Sequence, residues 1–198
     1  MSKLFPKGTV SLELVGKSPL LMHSPRGVNH FDPLTRELKT FTGKRKKTDD
    51  DNLRIAELEF ELGIYFDEEI GPYIPARALC ATCAKGAGRS RNGPNVKRAV
   101  KIIGDKLPLK YEGPRTIKGL WGNKDFVDIS MVKLKGREAI TRTRPKFNNW
   151  SVQFELEYDK GTFNLDDIIS FFTIAGEYEG LLDGRAIGYG RFTVDLIK

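Results

Sequence analysis

The chain has 198 residues, with 33 Lys and Arg against 26 Asp and Glu and a net charge of +7. This length is sufficient to bury a core without disulfides or metals, and we expect one compact domain over residues 1–198. An apolar run of about 18 residues and a basic-then-apolar leader pattern are both missing from the sequence, which argues against a membrane-spanning or secreted protein and favours the cytoplasm.

The first third of the chain predicts a strand, a long loop and a helix. Residues 9–15 alternate apolar and polar side chains with period two, which is typical of a half-buried strand, and residues 19–22 extend it beyond a kink. Residues 23–47 are interrupted by proline and glycine, so we predict a long loop or arm that orders on assembly and binding. Thr48 to Asp51 predict the N-cap of a helix over residues 52–60, and residues 63–66 predict a short strand.

The rest of the chain predicts further helices and strands. Pro72-Tyr-Ile-Pro75 is expected to be extended and to open a helix over residues 76–85 that ends at Gly86. Residues 95–103 predict a second helix with a basic outer face. Strands are predicted at residues 126–132, 140–144, 151–158 and 193–197, and an amphipathic helix at residues 165–178.

Two cysteines, Cys80 and Cys83, fall in the first of these predicted helices. A C-x-x-C pair can be a redox motif or half a zinc site, but there is no second cysteine pair, and His23 and His30 are far away in sequence. We therefore interpret both cysteines as small buried helix residues and expect neither a metal nor another cofactor.

Separate clusters of basic residues indicate a polyanionic partner. A glycine-rich loop near the end of the chain adds to them, because glycine accepts positive φ and can expose backbone N–H groups to phosphates. Phe31, Phe41 and Tyr189 are candidates for stacking on bases. A flexible turn and charged solvent faces of strands are the ordinary alternatives. The predicted nucleic-acid-binding residues are Lys44, Arg45, Lys46, Lys47, Arg89, Arg91, Lys97, Arg98, Lys101, Arg142, Arg144, Gly184, Arg185, Gly188, Tyr189, Gly190 and Arg191.

The order of elements predicts an α+β fold, a modified ferredoxin-like or RRM-like antiparallel sheet with helices on one face. Three segments resemble the RAMP superfamily of CRISPR-associated RNA-binding proteins. Residues 9–25, with Ser18-Pro-Leu-Leu-Met-His-Ser24, are similar to the family's first strand and turn. Pro72-Tyr-Ile-Pro-Ala-Arg-Ala-Leu79 is similar to its P-x-I-P-G-S-S-L segment, with Ala76 and Arg77 in place of Gly-Ser, and residues 180–192 are similar to its glycine-rich loop.

This resemblance is closest to the repeating backbone subunits that line a guide RNA, although a stand-alone or viral relative would carry the same features. It implies a non-catalytic protein that binds single-stranded nucleic acid, RNA rather than DNA, and assembles side by side as a homo-oligomer or within a ribonucleoprotein. Two alternatives stay open. One is an endoribonuclease that uses His23, His30 or Asp32, and the other is a structural or inhibitory protein-binding module.

Overall fold

A computed structural model of the protein describes residues 6–133 and 139–197 and has an α+β fold with antiparallel strand pairing, as predicted. The described strands are β1 (Lys7–Gly16), β2 (Leu20–Leu21), β3 (Phe66–Asp67), β4 (Gly71–Pro75), β5 (Val100–Ile102), β6 (Lys106–Lys110), β7 (Val127–Lys133), β8 (Ala139–Phe147), β9 (Ser151–Asp159) and β10 (Phe192–Ile197). The described helices are α1 (Pro33–Thr42), α2 (Asp49–Gly63), α3 (Ala76–Gly88), α4 (Gly93–Ala99), α5 (Ile117–Trp121) and α6 (Leu165–Ile174).

One compact unit, which we call the sheet unit, contains the described parts of residues 1–20, 67–112 and 148–198. Its strands run in the order β10-β1-β9-β6-β4-β3, and β5 also pairs with β9. The period-two pattern places Leu12 and Leu14 of β1 in the core with no exposed surface. Phe154 of β9 packs on Phe172 of α6 with ring centroids 5.4 Å apart, so helix α6 covers the buried face of this sheet.

The second compact unit, the helix-hairpin unit, contains the described parts of residues 21–66 and 113–147. It holds α1, α2, α5 and a three-stranded sheet in the order β2-β8-β7. Aromatic pairs fill its core: Phe60 meets Trp121 at 5.5 Å between centroids, and Phe126 meets Phe147 at 5.8 Å. The single domain over residues 1–198 stays a prediction.

Helix α1 lies inside the segment for which the sequence predicted a loop, so that prediction is corrected. The Asp32 carboxylate accepts hydrogen bonds from the N–H groups of Leu34, at 2.9 Å, and Thr35, at 3.4 Å, and Pro33 occupies the first helical position. Arg54 of α2 then pairs with Glu37 of α1 at 2.8 Å. The proline that suggested an interruption is in fact the start of a helix.

Other boundaries also differ from the predictions. Residues 100–102 form β5 rather than helix, because the β-branched Val100 and Ile102 pair with Tyr158 and Leu156 of β9. Helix α3 continues through Gly86, where a Cβ atom would lie only 1.9 Å from a backbone oxygen of Phe171 in α6; glycine here permits close helix packing. Helix α6 ends earlier than predicted and is followed by a wider turn. The sequence did not predict β6 and α5.

Both cysteines lie on α3. Cys83 is buried and Cys80 is half-buried, and burial raises the pKa of each thiol. This confirms Cys83 as a small buried helix residue. Among the helices of the described residues, none has the length and apolar character needed to cross a membrane.

The N-terminus of α2 predicts a pH-dependent loss of stability. Asp51 and Thr48 form a capping box, and the hydrogen bond from Lys44 is the largest cause that lowers the pKa of Asp51. Because the folded-state pKa of Asp51 is lowered, the ionised carboxylate stabilises the fold at pH values above its unfolded-state pKa of about 3.9. This stabilisation is lost as the pH falls through the folded-state pKa. Thermal melts from pH 7 to pH 2.5 should show Asp51→Asn melting below the wild type at neutral pH, with the gap closing in acid. A gap that is constant with pH would contradict this.

Candidate nucleic-acid interface

The glycine-rich loop between α6 and β10 depends on left-handed backbone conformations. Gly180, Gly184, Gly188 and Gly190 have φ of 75°, 68°, 94° and 69°. These values lie in the region that glycine adopts without steric cost. The glycines therefore set the path of the loop, as the sequence predicted.

Most of the N–H groups in this loop are used inside the protein. Leu181 N–H donates to the Gly190 carbonyl at 2.9 Å, Tyr189 N–H to the Gly184 carbonyl at 3.2 Å, and Gly190 N–H to the Pro19 carbonyl at 2.8 Å. The expectation that the loop offers bare N–H groups to phosphates is therefore corrected at Gly190 and Tyr189, because a donor that is already paired gains little from a ligand. What the loop can offer is its shape and its arginine side chains.

Ser18, which sequence reasoning did not assign to the site, holds this loop in place. Its hydroxyl donates to the Gly188 carbonyl at 2.8 Å and accepts from the Arg191 N–H at 2.9 Å. Trp150 Nε1–H donates to the Ser18 carbonyl at 2.9 Å. Two of the three segments that carried the family resemblance therefore meet in space. The only sequence signal for Ser18 was its position in the first of them.

Arg191 combines a fixed backbone with an unsatisfied side chain. Its carbonyl accepts from the N–H of Lys17 at 2.7 Å. Its Nη1 atom is buried and has no hydrogen-bond partner among the described residues. A buried donor without a partner is costly. Because this atom has almost no accessible surface, only the exposed part of the half-buried Arg191 side chain is open to a phosphate.

The basic residues at the end of α3, on α4 and on β5 form what we call the basic patch, consisting of Arg89, Arg91, Lys97, Arg98 and Lys101. All five are exposed. The Arg89 guanidinium lies 3.8 Å from the centroid of the Tyr178 ring, two residues before the glycine-rich loop begins. The sheet unit thus brings one end of the basic patch to the start of the loop.

The cluster from Lys44 to Lys47 belongs to the helix-hairpin unit and is partly used within it. Lys44 Nζ pairs with Asp51 at 2.6 Å and lies 4.8 Å from the Phe41 ring centroid, and Lys47 Nζ donates to the Lys44 carbonyl at 3.0 Å. Arg45 and Lys46 are exposed. Half of this predicted cluster therefore has a local structural role.

Arg142 and Arg144 differ in exposure although they are alternate residues of β8. The Arg144 side chain is 8% exposed, and its Nη2 atom bonds to Asp128 at 2.9 Å and to the Ser130 hydroxyl at 2.6 Å. Arg144 is therefore a buried structural residue, and we correct its assignment to the nucleic-acid interface. Arg142 pairs with Glu59 and keeps 41% of its side chain exposed.

The three candidates for ribonuclease catalysis have different surroundings. Asp32 caps α1 and pairs with Arg26 at 2.6 Å. Burial raises the pKa of its carboxyl, but the hydrogen bonds from Arg26, Leu34 and Thr35 together lower this pKa by more, so the net shift is downward. His30 Nδ1 contacts Lys39 Nζ. His23 is exposed and lines a cavity of the helix-hairpin unit. Within the described residues, His, Cys, Asp and Glu do not form a group of three or more that could hold a metal.

The predicted stacking residues also differ in exposure. Phe31 precedes α1 and is 82% exposed. Phe41 and Tyr189 are half-buried. Of these three residues, Phe31 has the most surface available to a base. It belongs to the helix-hairpin unit, whereas the glycine-rich loop belongs to the sheet unit.

Comparison with solved structures finds a similar fold in a chain of a larger assembly. A chain of the Type III-B Cmr-beta bound to cognate target RNA superposes with a TM-score of 0.55 and 15% identity, over 97% of this chain and 59% of that one. This protein has a RAMP-like fold. Cmr6 from Pyrococcus furiosus is a weaker match, with a TM-score of 0.34, 13% identity and coverage of 95% and 98%. No protein-family model and no curated protein sequence matches.

Substitution by alanine should reduce the folding free energy by different amounts at two glycines of the loop. At Gly190 a Cβ atom would lie 2.2 Å from the Leu181 carbonyl oxygen, whereas at Gly188 it would meet nothing within 4 Å. We expect Gly188→Ala to cost about 1 kcal/mol through positive φ alone and Gly190→Ala to cost more, because the backbone must move as well. Urea unfolding of both variants measures this order. Equal losses would show that the close contact at Gly190 is relieved without cost.

The buried position of Arg144 predicts a structural mutant. Arg144→Ala leaves the Asp128 carboxylate, whose side chain is 13% exposed, without its charged partner, so it should cost about 3 kcal/mol of folding free energy. Any binding of single-stranded RNA by the folded variant should show the same salt dependence as in the wild type. Lys124→Ala, at an exposed lysine of the same unit, is the matched control and should leave stability nearly unchanged. If Arg144→Ala instead has normal stability and weakened binding, Arg144 belongs to the nucleic-acid interface after all.

Proposed function

We propose that the protein is a non-catalytic binder of single-stranded nucleic acid, with RNA as its natural ligand, and that it assembles side by side along the strand. The observation that carries the proposal is the basic patch, which begins at the Arg89–Tyr178 pair beside the glycine-rich loop. Phosphate contacts dominate the affinity of such surfaces, and they need exposed Lys and Arg on a fixed backbone. The RAMP-like fold supports RNA as the ligand.

Electrostatics favour a polyanion over an acidic protein surface. The segment from Lys85 to Lys101 contains basic residues and no acidic ones. Arg191, which is half-buried in the glycine-rich loop of the same unit, adds one further guanidinium. A phosphate accepts hydrogen bonds from a guanidinium in a planar geometry, and a strand of phosphates offers this repeatedly.

The salt dependence of binding tests the role of the basic patch. On a single strand, log K against log[salt] falls with a slope of roughly −0.7 per phosphate contacted. Lys97→Gln with Arg98→Gln should make this slope less steep by roughly 1.4, because two contacts are lost. Lys110→Gln with Lys118→Gln, which removes the same charge at two other exposed positions, should leave the slope near that of the wild type. Equal slopes for the two double variants would remove the basic patch from the site.

The choice of ligand and the mode of assembly need a second measurement. Native mass spectrometry with matched RNA and DNA oligonucleotides of increasing length should add one protomer for each fixed number of nucleotides, with tighter binding to RNA. A single protomer on every length would contradict side-by-side assembly. Equal affinity for RNA and DNA would show that the protein does not recognise the 2′-hydroxyl.

A further inference from the structure

The helix-hairpin unit contains a cavity of about 420 Å³, which is within the size range of small-molecule sites, about 300–1,000 Å³. It lies between the turn at Pro25–Val28, helices α1 and α2, and strand β8. All of its lining residues belong to this one unit. The sequence predicted functions for two of its lining residues, His23 and Arg142, but not a cavity.

Glu59 and Arg142 form a charged wall of the cavity. The Glu59 side chain is 10% exposed, and its carboxylate accepts from the Thr143 N–H at 2.9 Å and from Arg142. A carboxylate this deeply buried requires such partners, and the pairing holds the Arg142 guanidinium in one position. A guanidinium has five N–H donors, of which the Glu59 contact uses only part, so Arg142 can also bind an anion.

A second cation and an apolar surface line the same space. Lys39 of α1 lines the cavity and contacts His30. With Arg142 and Lys39 against Glu59, the lining carries a net charge of +1 when His23 is neutral. Val28, Leu38 and Leu62 supply apolar contacts. A ligand that fits this combination has a flat apolar body, polar edges and an anionic group.

We propose that this cavity binds one nucleoside phosphate, with the base against the apolar residues and the phosphate on Arg142 and Lys39. The inference rests on the proposed function in one respect: the bound RNA can supply the ligand as a single unstacked nucleotide. A free mononucleotide has the same chemistry. Glu59 and the hydroxyls of Ser24 and Thr42 can accept hydrogen bonds from the base or the ribose.

Calorimetry of the full chain with adenosine 5′-monophosphate, adenosine and inorganic phosphate tests the site. The monophosphate should bind at least about tenfold more tightly than adenosine or phosphate alone, because only the monophosphate contacts both the basic residues and the apolar surface of the cavity. Arg142→Gln should weaken it at least about tenfold. Val28→Trp adds a bulky ring to the cavity lining without removing a polar partner. Because Val28 is 73% exposed, the variant should melt normally, and it should weaken monophosphate binding. Lys39→Gln should also weaken monophosphate binding. Arg36→Gln, at an exposed residue of α1 outside the cavity, is its control and should leave binding unchanged.

The outcomes separate this proposal from the proposed function. Unchanged monophosphate binding in Val28→Trp, or no binding by the wild type, overturns the cavity site even if RNA binding through the basic patch persists. Displacement of the monophosphate by an RNA oligonucleotide supports a nucleotide of the strand as the occupant. Cavity binding without displacement, or without any RNA binding, supports a free mononucleotide; RNA binding that is missing altogether overturns only the proposed function.

Discussion

The hydroxyl of Ser18 is the contact on which the candidate interface depends. It joins the turn after β1 to both ends of the Gly188–Arg191 segment, at 2.8 and 2.9 Å. The glycines make the loop possible, but they do not fix it, since their freedom of φ also enlarges the unfolded ensemble. The hydroxyl and the backbone bonds around it select one conformation and so place Arg191. In the proposed function, the loop acts by holding side chains rather than by presenting free N–H groups.

Pairing with carboxylates divides the basic residues into two groups that composition cannot distinguish. Arg144 and Lys44 have carboxylate partners at 2.9 and 2.6 Å and stabilise the helix-hairpin unit. Arg89, Lys97 and Arg98 are exposed, and their charge is available to a polyanion. A net charge of +7 therefore does not tell which basic residues can contact phosphates, because the position of each side chain decides this.

Arg142 links the proposed function to the cavity. Its pairing with the buried Glu59 would, in a simple electrostatic view, cancel its charge. In a confined space the pairing also fixes the guanidinium, and the remaining donors keep their direction, which lowers the entropic cost of binding an anion. The two units thus offer different chemistry: exposed basic side chains in the sheet unit, and a partly open cavity with a fixed guanidinium in the helix-hairpin unit.

The sequence alone determined the elements whose signal is local. Period two in β1 and β9, the Thr48 cap of α2 and the glycine-dependent loop were predictable because each is fixed by neighbours in the chain. Asp32-Pro33 could be either a turn or a helix start, and only the packing of α1 on α2 decided it. Likewise, residues 100–102 became a strand because β9 offered a free edge. The roles of Ser18 and Glu59, and the burial of Arg144, depend on residues distant in sequence, so only the tertiary structure decided them.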